Sequence, residues 1–194
     1  MSTITSVIEQ LDQYLKTNRP DYYSILNPAL TNEELVALEE EYGVQLPADL
    51  KALYQWKNGH SDEHFSANFI ELFQFFSLDI SLRMAHEHTE MIGSDFSIEN
   101  WWNKNWIPFL TEGSDAYCYD MEGTFTGNKG QILRFIHDDN WRPVIAPDLD
   151  SFLQHVVNAM PNNICTGFGN GQVSMEHLPG YPLDFEVNKK LQNG

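Results

Sequence analysis

The amino-terminal part of the chain places its apolar residues with the period of an α-helix. Apolar positions at this spacing over residues 4–16 predict an amphipathic helix, and Pro20 interrupts the pattern. A second helix is predicted after Thr31, because Thr31 and Glu34 have the spacing of a capping box. Gly43 is expected to end that helix, since glycine adopts a positive φ without steric cost.

A third predicted helix follows after a very short connection. Leu46 precedes Pro47, which suits the first helical position because its missing N–H is not needed there. Asn58 and Gly59 tolerate the left-handed conformation, so we expect them to end this helix. Two helices joined so closely must pack together, and Gly43, Leu46, Pro47, Asn58 and Gly59 form the predicted structural motif.

The spacing changes in the middle of the chain, where alternating residues predict strands. Strands joined by short turns are normally antiparallel, and helices before and after such a sheet give an α+β domain. Pro108 favours either an edge position for the first full strand or a place at the start of that strand. We predict a buried strand, with or without a turn, over residues 69–76, a helix over 77–91, strands over 106–110, 116–121, 130–137 and 141–145, and a helix after Pro147 and Asp148.

The expected architecture is therefore one domain over residues 1–160, with a mainly antiparallel sheet packed by amino-terminal helices and a carboxy-terminal helix. Residues 161–194 are rich in Gly, Asn and Pro and predict an irregular extension.

Net charge adds the first indication of function. The chain has 28 acidic and 11 basic residues, a net charge of -17. Such a field repels nucleic acid and anionic membranes and attracts basic partners, although it also keeps a protein soluble. No apolar run has the length of a membrane span, and the first ten residues lack the pattern of a signal peptide. We expect a cytoplasmic protein that binds neither nucleic acid nor membranes.

Residues that could support catalysis lack the spacing that catalysis needs. His60 and His64 are four apart, but Ser61 stands where a zinc-protease helix has Glu, so we interpret both histidines as surface loop residues. Cys118 lies in an alternating strand, where a buried and inert thiol is the usual case. We assign no catalytic residue, metal or cofactor, although a triad defined by geometry alone stays open.

The five tryptophans are many for this length and indicate either core packing or interface anchors. Neighbouring residues in a strand point to opposite faces, so one of Trp101 and Trp102 is expected to be exposed. Exposed aromatic residues beside acids suit the binding of a basic protein. The candidate partner-binding residues are Trp101, Trp102, Asp115, Asp138, Asp139 and Trp141.

Three stretches resemble the Smi/Knr family of the SUKH superfamily. Residues 30–60, LTNEELVALEEEYGVQLPADLKALYQWKNGH, resemble its signature, above all in ALEEEYGVQLP and in Asn58-Gly59. WIPFLTEGSDAYCYDM, over residues 106–121, is similar to the family's central element, and IAPDLDSFLQHV, over 145–156, to its closing helix. The resemblance covers residues 26–160.

The resemblance implies a SUKH-type α+β fold and a non-enzymatic role. Bacterial members are commonly immunity proteins of polymorphic toxin or toxin–antitoxin systems, which neutralise a cognate toxin that is often a nuclease. Fungal members regulate cell-wall assembly through protein contacts. Our first hypothesis is an immunity protein that binds a basic toxin domain. The alternatives are a regulatory scaffold in cell-wall assembly or signalling, and a small hydrolase or metal-dependent enzyme.

Overall fold

A computed structural model describes residues 3–61, 63, 67–160 and 178–187. Within these residues the chain forms six helices and four strands in one α+β unit. The helices are α1 (Ile4–Asn18), α2 (Pro20–Ile25), α3 (Asn32–Tyr42), α4 (Ala48–Trp56), α5 (Leu78–Glu90) and α6 (Leu149–Ala159), and the strands are β1 (Trp106–Glu112), β2 (Asp115–Asp120), β3 (Gln131–Phe135) and β4 (Val144–Ala146).

The four strands form an antiparallel sheet in the order β1-β2-β3-β4, which confirms the predicted fold class. Strand β1 lies at an edge, as Pro108 favours, and its register shifts between Pro108 and Leu110. Helix α5 packs along β1, and α6 contacts β3 and β4. Phe152 of α6 meets Phe109 and Tyr117 of the sheet with ring centroids 5.6 and 5.4 Å apart, so this junction is aromatic core.

The local signals of α3 are confirmed. Thr31 and Glu34 form the capping box in both directions, and Gly43 has a φ of 61° at the end of the helix. Glu39 then joins α3 to α4. Its carboxylate accepts the Leu46 N–H at 2.6 Å and pairs with Lys51 Nζ at 2.8 Å, so the short connection does bring the two helices together.

The predicted ends of α4 are wrong by one to three positions. Pro47 is the N-cap, with extended backbone, instead of the first helical residue, and the helix ends at Trp56 before Asn58 and Gly59 are reached. These two residues have tertiary roles. Asn58 Oδ1 accepts the N–H at the start of α5, 2.8 Å away. Gly59 has a φ of 52°, and a Cβ there would lie 2.1 Å from the Phe76 carbonyl oxygen.

Residues 69–76 form a hairpin turn and an irregular segment instead of a regular strand. Ile70 and Phe73 exchange backbone hydrogen bonds, with Glu71 and Leu72 at the tip between them. Further on, only Gln74 pairs with β1 among the described residues, through two hydrogen bonds to Thr111.

Part of the predicted extension packs on the sheet. Residues 178–187 run antiparallel to β4, where Val144 and Leu183 exchange two hydrogen bonds of 2.9 Å and the Arg142 N–H donates to the Phe185 carbonyl at 2.7 Å. Val187 is buried. The rest of the extension, residues 161–177 and 188–194, lies outside the described residues.

Candidate functional site

A fully buried arginine organises the turn between β3 and β4. The Arg142 guanidinium donates to backbone carbonyl oxygens of Ile136, Asp139 and Trp141 at 2.6–3.0 Å, and to that of Trp101 at 2.9 Å. Burial lowers the pKa of Arg142 to about 10, which still leaves the group charged at neutral pH. One cation therefore binds two segments that are far apart in sequence.

Two aromatic rings enclose the same guanidinium. Its Cζ lies 4.9 Å from the ring centroid of Trp101 and 4.8 Å from that of Phe135. Cation–π attraction adds to the hydrogen bonds when the cation is removed from water. Arg142 covers part of the Trp101 ring, and Trp101 is half-buried.

Asp115 joins this arrangement from the start of β2. Its Oδ1 accepts the His137 backbone N–H at 3.0 Å and lies 2.8 Å from His137 Nδ1. Arg134 Nη2 is 3.6 Å from Asp115 Oδ2. Burial raises the pKa of Asp115, but the His137 hydrogen bonds and the Arg134 charge outweigh it and hold that pKa below its usual value.

The structure thus brings together five of the six candidate residues. We call them the turn cluster, which consists of Trp101, Asp115, Asp138, Asp139 and Trp141. Asp138 and Asp139 are exposed in the turn, and Trp141 is 37% exposed beside them. An exposed aromatic side chain among carboxylates can pack on a partner and attract its cations.

Trp102 corrects the prediction for the adjacent tryptophans. It is only 2% exposed and packs edge-to-face on Phe135 and Trp106, with centroids 5.0 and 5.7 Å apart. Its indole N–H donates to Thr89 Oγ1 at 3.3 Å. Trp101 and Trp102 lie in a bend and not in a strand, so the alternation argument did not apply, and Trp102 belongs to the core.

The carboxy-terminal segment adds two acids beside Trp141 that were not among the candidate residues. The Trp141 indole N–H donates to Asp184 Oδ1 at 3.1 Å, and Trp141 also forms a backbone bridge with Glu186. Asp184 and Glu186 are exposed. The alternation of LDFEV, over residues 183–187, was the available signal for an edge segment of the sheet.

The other candidate groups have structural surroundings. His60 is buried, contrary to our surface interpretation, and its ring nitrogens lie 2.8 and 3.1 Å from the carbonyls of Ser61 and Ala67. His64 lies outside the described residues. Cys118 is buried as predicted, and burial raises the pKa of its thiol. No group of three His, Cys, Asp or Glu side chains in the described ranges could hold a metal ion.

Asp120 is a buried carboxylate that shapes the loop between β2 and β3. Its oxygens accept the backbone N–H groups of Gly123 and Thr124 at 3.0 and 2.6 Å and the Gln131 side-chain amide at 2.8 Å. Such bonds compensate the desolvation of the charge. The carboxylate is therefore committed to holding the loop.

Comparison with known proteins gives one family result. The model of the SMI1 / KNR4 family (SUKH-1) matches residues 29–155. This stretch includes the four strands and the turn cluster and ends before the segment 178–187. A search of curated proteins found no match. In the part of the chain that the structure describes, no helix is both long and apolar enough to cross a membrane.

Proposed function

The chain belongs to the SMI1 / KNR4 family (SUKH-1), and from this membership we propose that it is an immunity protein that neutralises a toxin domain by binding it. Family membership supports a protein-binding or immunity role. The finer proposal is that the turn cluster contacts a basic surface of the toxin. The observation that carries it is the exposed Trp141 among exposed carboxylates, on a turn fixed by Arg142.

The turn cluster has the composition of a protein-binding surface. Interfaces concentrate their binding energy in a few aromatic and arginine side chains surrounded by polar groups that exclude water. Trp141 supplies the aromatic group, and Asp138 and Asp139 supply the polar rim. These acids lie in the connection between β3 and β4, so a partner can approach them without displacing the sheet.

The turn is fixed before a partner arrives. Arg142 bonds the carbonyls of Ile136, Asp139 and Trp141, so the backbone between them is ordered by a group inside the protein. Ordering an interface on binding costs free energy, and an interface that is already ordered avoids part of that cost. The burial of Arg142 therefore supports tight association through this turn.

Net charge favours a basic partner. A protein with a net charge of -17 attracts a basic protein over long range, which raises the association rate more than it lowers the dissociation rate. Added salt should remove much of this attraction, because the Debye length falls from about 30 Å at 0.01 M to about 8 Å at 0.15 M.

The test uses the toxin domain encoded next to the gene of this protein, in stopped-flow binding and in co-expression. We compare Asp138→Lys/Asp139→Lys with Glu40→Lys/Glu41→Lys, which changes the net charge equally on the exposed side of α3. Both variants should associate more slowly. Only the first should also dissociate faster and fail to protect cells.

Equal effects of the two variants would contradict the turn cluster as the binding surface. Absence of binding to the toxin domain, with toxicity unchanged on co-expression, would reject the immunity role. The remaining binding hypothesis would then be a regulatory scaffold, and it requires binding to a protein of cell-wall assembly instead of a toxin domain.

A further inference from the structure

A small cavity opens beside Trp141. It has a volume of about 130 Å³ and lies between the hairpin turn at residues 70–73, the sheet, α6 and the carboxy-terminal segment. Its walls include the aromatic side chains of Tyr117, Trp141 and Phe152 and the apolar side chains of Ile145 and Pro182. Drug-sized ligands occupy pockets of about 300–1,000 Å³, so this cavity has room for one long side chain and not for a small-molecule cofactor.

One exposed apolar residue lines the cavity, and two more stand next to wall residues in sequence. Of the six large hydrophobic residues that are well exposed in the described chain, Trp141 lines the cavity, and Leu72 and Leu183 each follow a residue that lines it. Leu72 is 51% exposed. Exposed apolar groups collected at one place, with a polar surround, are typical of protein-binding surfaces.

Glu71 brings a negative charge into the wall. It has a φ of 49°, a left-handed conformation that is unfavourable for a residue with a Cβ. Strained backbone is found preferentially at functional positions. The charge of Glu71 adds to burial in raising the pKa of Tyr117, which agrees with its place in the same wall.

Two acidic side chains favour a cationic occupant. Glu71 lines the cavity, and Asp184 accepts a hydrogen bond from the indole of the wall residue Trp141. The wall also contains the basic residues Arg134 and His155. Arg134 lies 3.6 Å from Asp115, and its guanidinium carbon is 5.2 Å from the Phe73 ring centroid. Its charge is therefore partly balanced by groups of this protein.

We propose that this cavity receives a lysine or arginine side chain of the bound protein, a proposal that rests on the proposed function. The aliphatic stem packs on Phe152 and Ile145, and the cation lies between the Trp141 ring and the Glu71 carboxylate. Cation–π attraction and a partly desolvated charge pair both favour this placement. Leu178 and Pro182 contribute walls from outside residues 29–155, so part of the recognition comes from sequence beyond the family match.

The first experiment titrates the full-length protein with N-acetyl-L-arginine methylamide and follows ¹H–¹⁵N spectra. Saturable shifts are expected at the Trp141 indole N–H and at the backbone amides of Glu71 and Ile145. Glu71→Gln should weaken this binding about two- to fivefold, because it keeps the shape and removes the charge. Glu40→Gln, an exposed acid of α3, is the matched control and should leave it unchanged.

Neutral N-acetyl-L-norleucine methylamide distinguishes a cation site from a general apolar one. It should bind more weakly than the arginine probe, and the difference should disappear in Glu71→Gln. Absence of saturable shifts at Trp141, equal binding of the two probes, or arginine binding that Glu71→Gln leaves unchanged would overturn the proposal. The melting temperature of each variant verifies that the protein is folded.

The second experiment measures toxin-domain binding with the same variants. If Asp138→Lys/Asp139→Lys weakens toxin binding and Glu71→Gln does not, the cavity proposal is wrong while the proposed function stands. If the arginine probe binds at Trp141 and the toxin domain does not bind, the cation site stands and the immunity role fails. The cavity proposal and the immunity role are both supported only if Glu71→Gln raises the dissociation rate of the toxin domain.

Discussion

Replacing Arg142 by Met should destabilise the protein by about 3–5 kcal/mol, the range expected when one partner of a buried polar network is removed. The change keeps an unbranched side chain but removes the guanidinium donors to the carbonyls of Trp101, Ile136, Asp139 and Trp141. Of these, the Ile136 carbonyl still accepts the Asp139 N–H at 3.4 Å. Each buried carbonyl left without a donor costs about 1–3 kcal/mol. For the three other carbonyls the sum is about 3–9 kcal/mol, and its lower part applies because the turn is at the surface and water can reach some of these oxygens.

Chemical denaturation with urea, followed by tryptophan fluorescence, measures the loss of stability. For a chain of this length a loss of 3–5 kcal/mol corresponds to a fall in melting temperature of about 6–20 °C. Arg142→Lys should lie between wild type and Arg142→Met, because an ammonium has fewer donors and does not stack on Trp101 and Phe135. Hydrogen exchange should show faster exchange of the amides at 137–142 in both variants.

Lys129→Met is the matched control for loss of one positive charge. Lys129 pairs with Glu122 on the surface, and such pairs contribute only about 0–1 kcal/mol. If Arg142→Met cost no more than Lys129→Met, the four carbonyl bonds would not be stabilising the turn, and the argument for a fixed binding surface would fail with them.

Three further predictions concern residues of the fold and the turn cluster. Gly59→Ala should lower the free energy of unfolding by more than 2 kcal/mol, because the added Cβ would meet the Phe76 backbone. Gly43→Ala should lower it by only about 1 kcal/mol, since open space surrounds Gly43. Thermal melts compare the two variants. Trp102→Ala truncates a core side chain and should lower the free energy of unfolding, measured with urea, by about 3–5 kcal/mol. Trp141→Ala should change stability little but raise the dissociation rate of the toxin domain. The pKa of Asp115 is held below 3.8, so its carboxylate stabilises the fold above that pH. Asp115→Asn should therefore be less stable than the wild type at pH 7. The difference in free energy of unfolding between the two proteins should shrink as the pH is lowered below 3.8.

Features that depend on neighbours in sequence could be predicted. The capping box of Thr31 and Glu34 and the positive φ of Gly43 involve groups within one helical turn, and the structure has both. Pro20 was expected only to interrupt the first helix, yet it also begins α2, because proline fits the first turn of a helix. Gly59 was assigned to a helix end, but the need for glycine comes from the Phe76 backbone, which sequence spacing does not reveal.

The candidate site was predictable only in its exposed parts. Asp138 and Asp139 lie in a polar turn between two strands, and such a turn is exposed in most folds. Trp102 was misassigned because the alternation typical of strands was applied to residues that lie in a bend. Arg142 could not be selected, since its partner Trp101 is 41 residues away in sequence.

The segment 178–187 has a consequence for how this protein can be shortened. By bonding to Val144 it occupies the open edge of the sheet next to β4. A fragment that stopped at residue 160, just beyond the family match, would expose the backbone N–H and C=O groups of that strand. Unpaired strand edges pair readily with other chains, so such a fragment should self-associate and precipitate. We therefore expect the carboxy-terminal residues to limit self-association through this edge of the sheet.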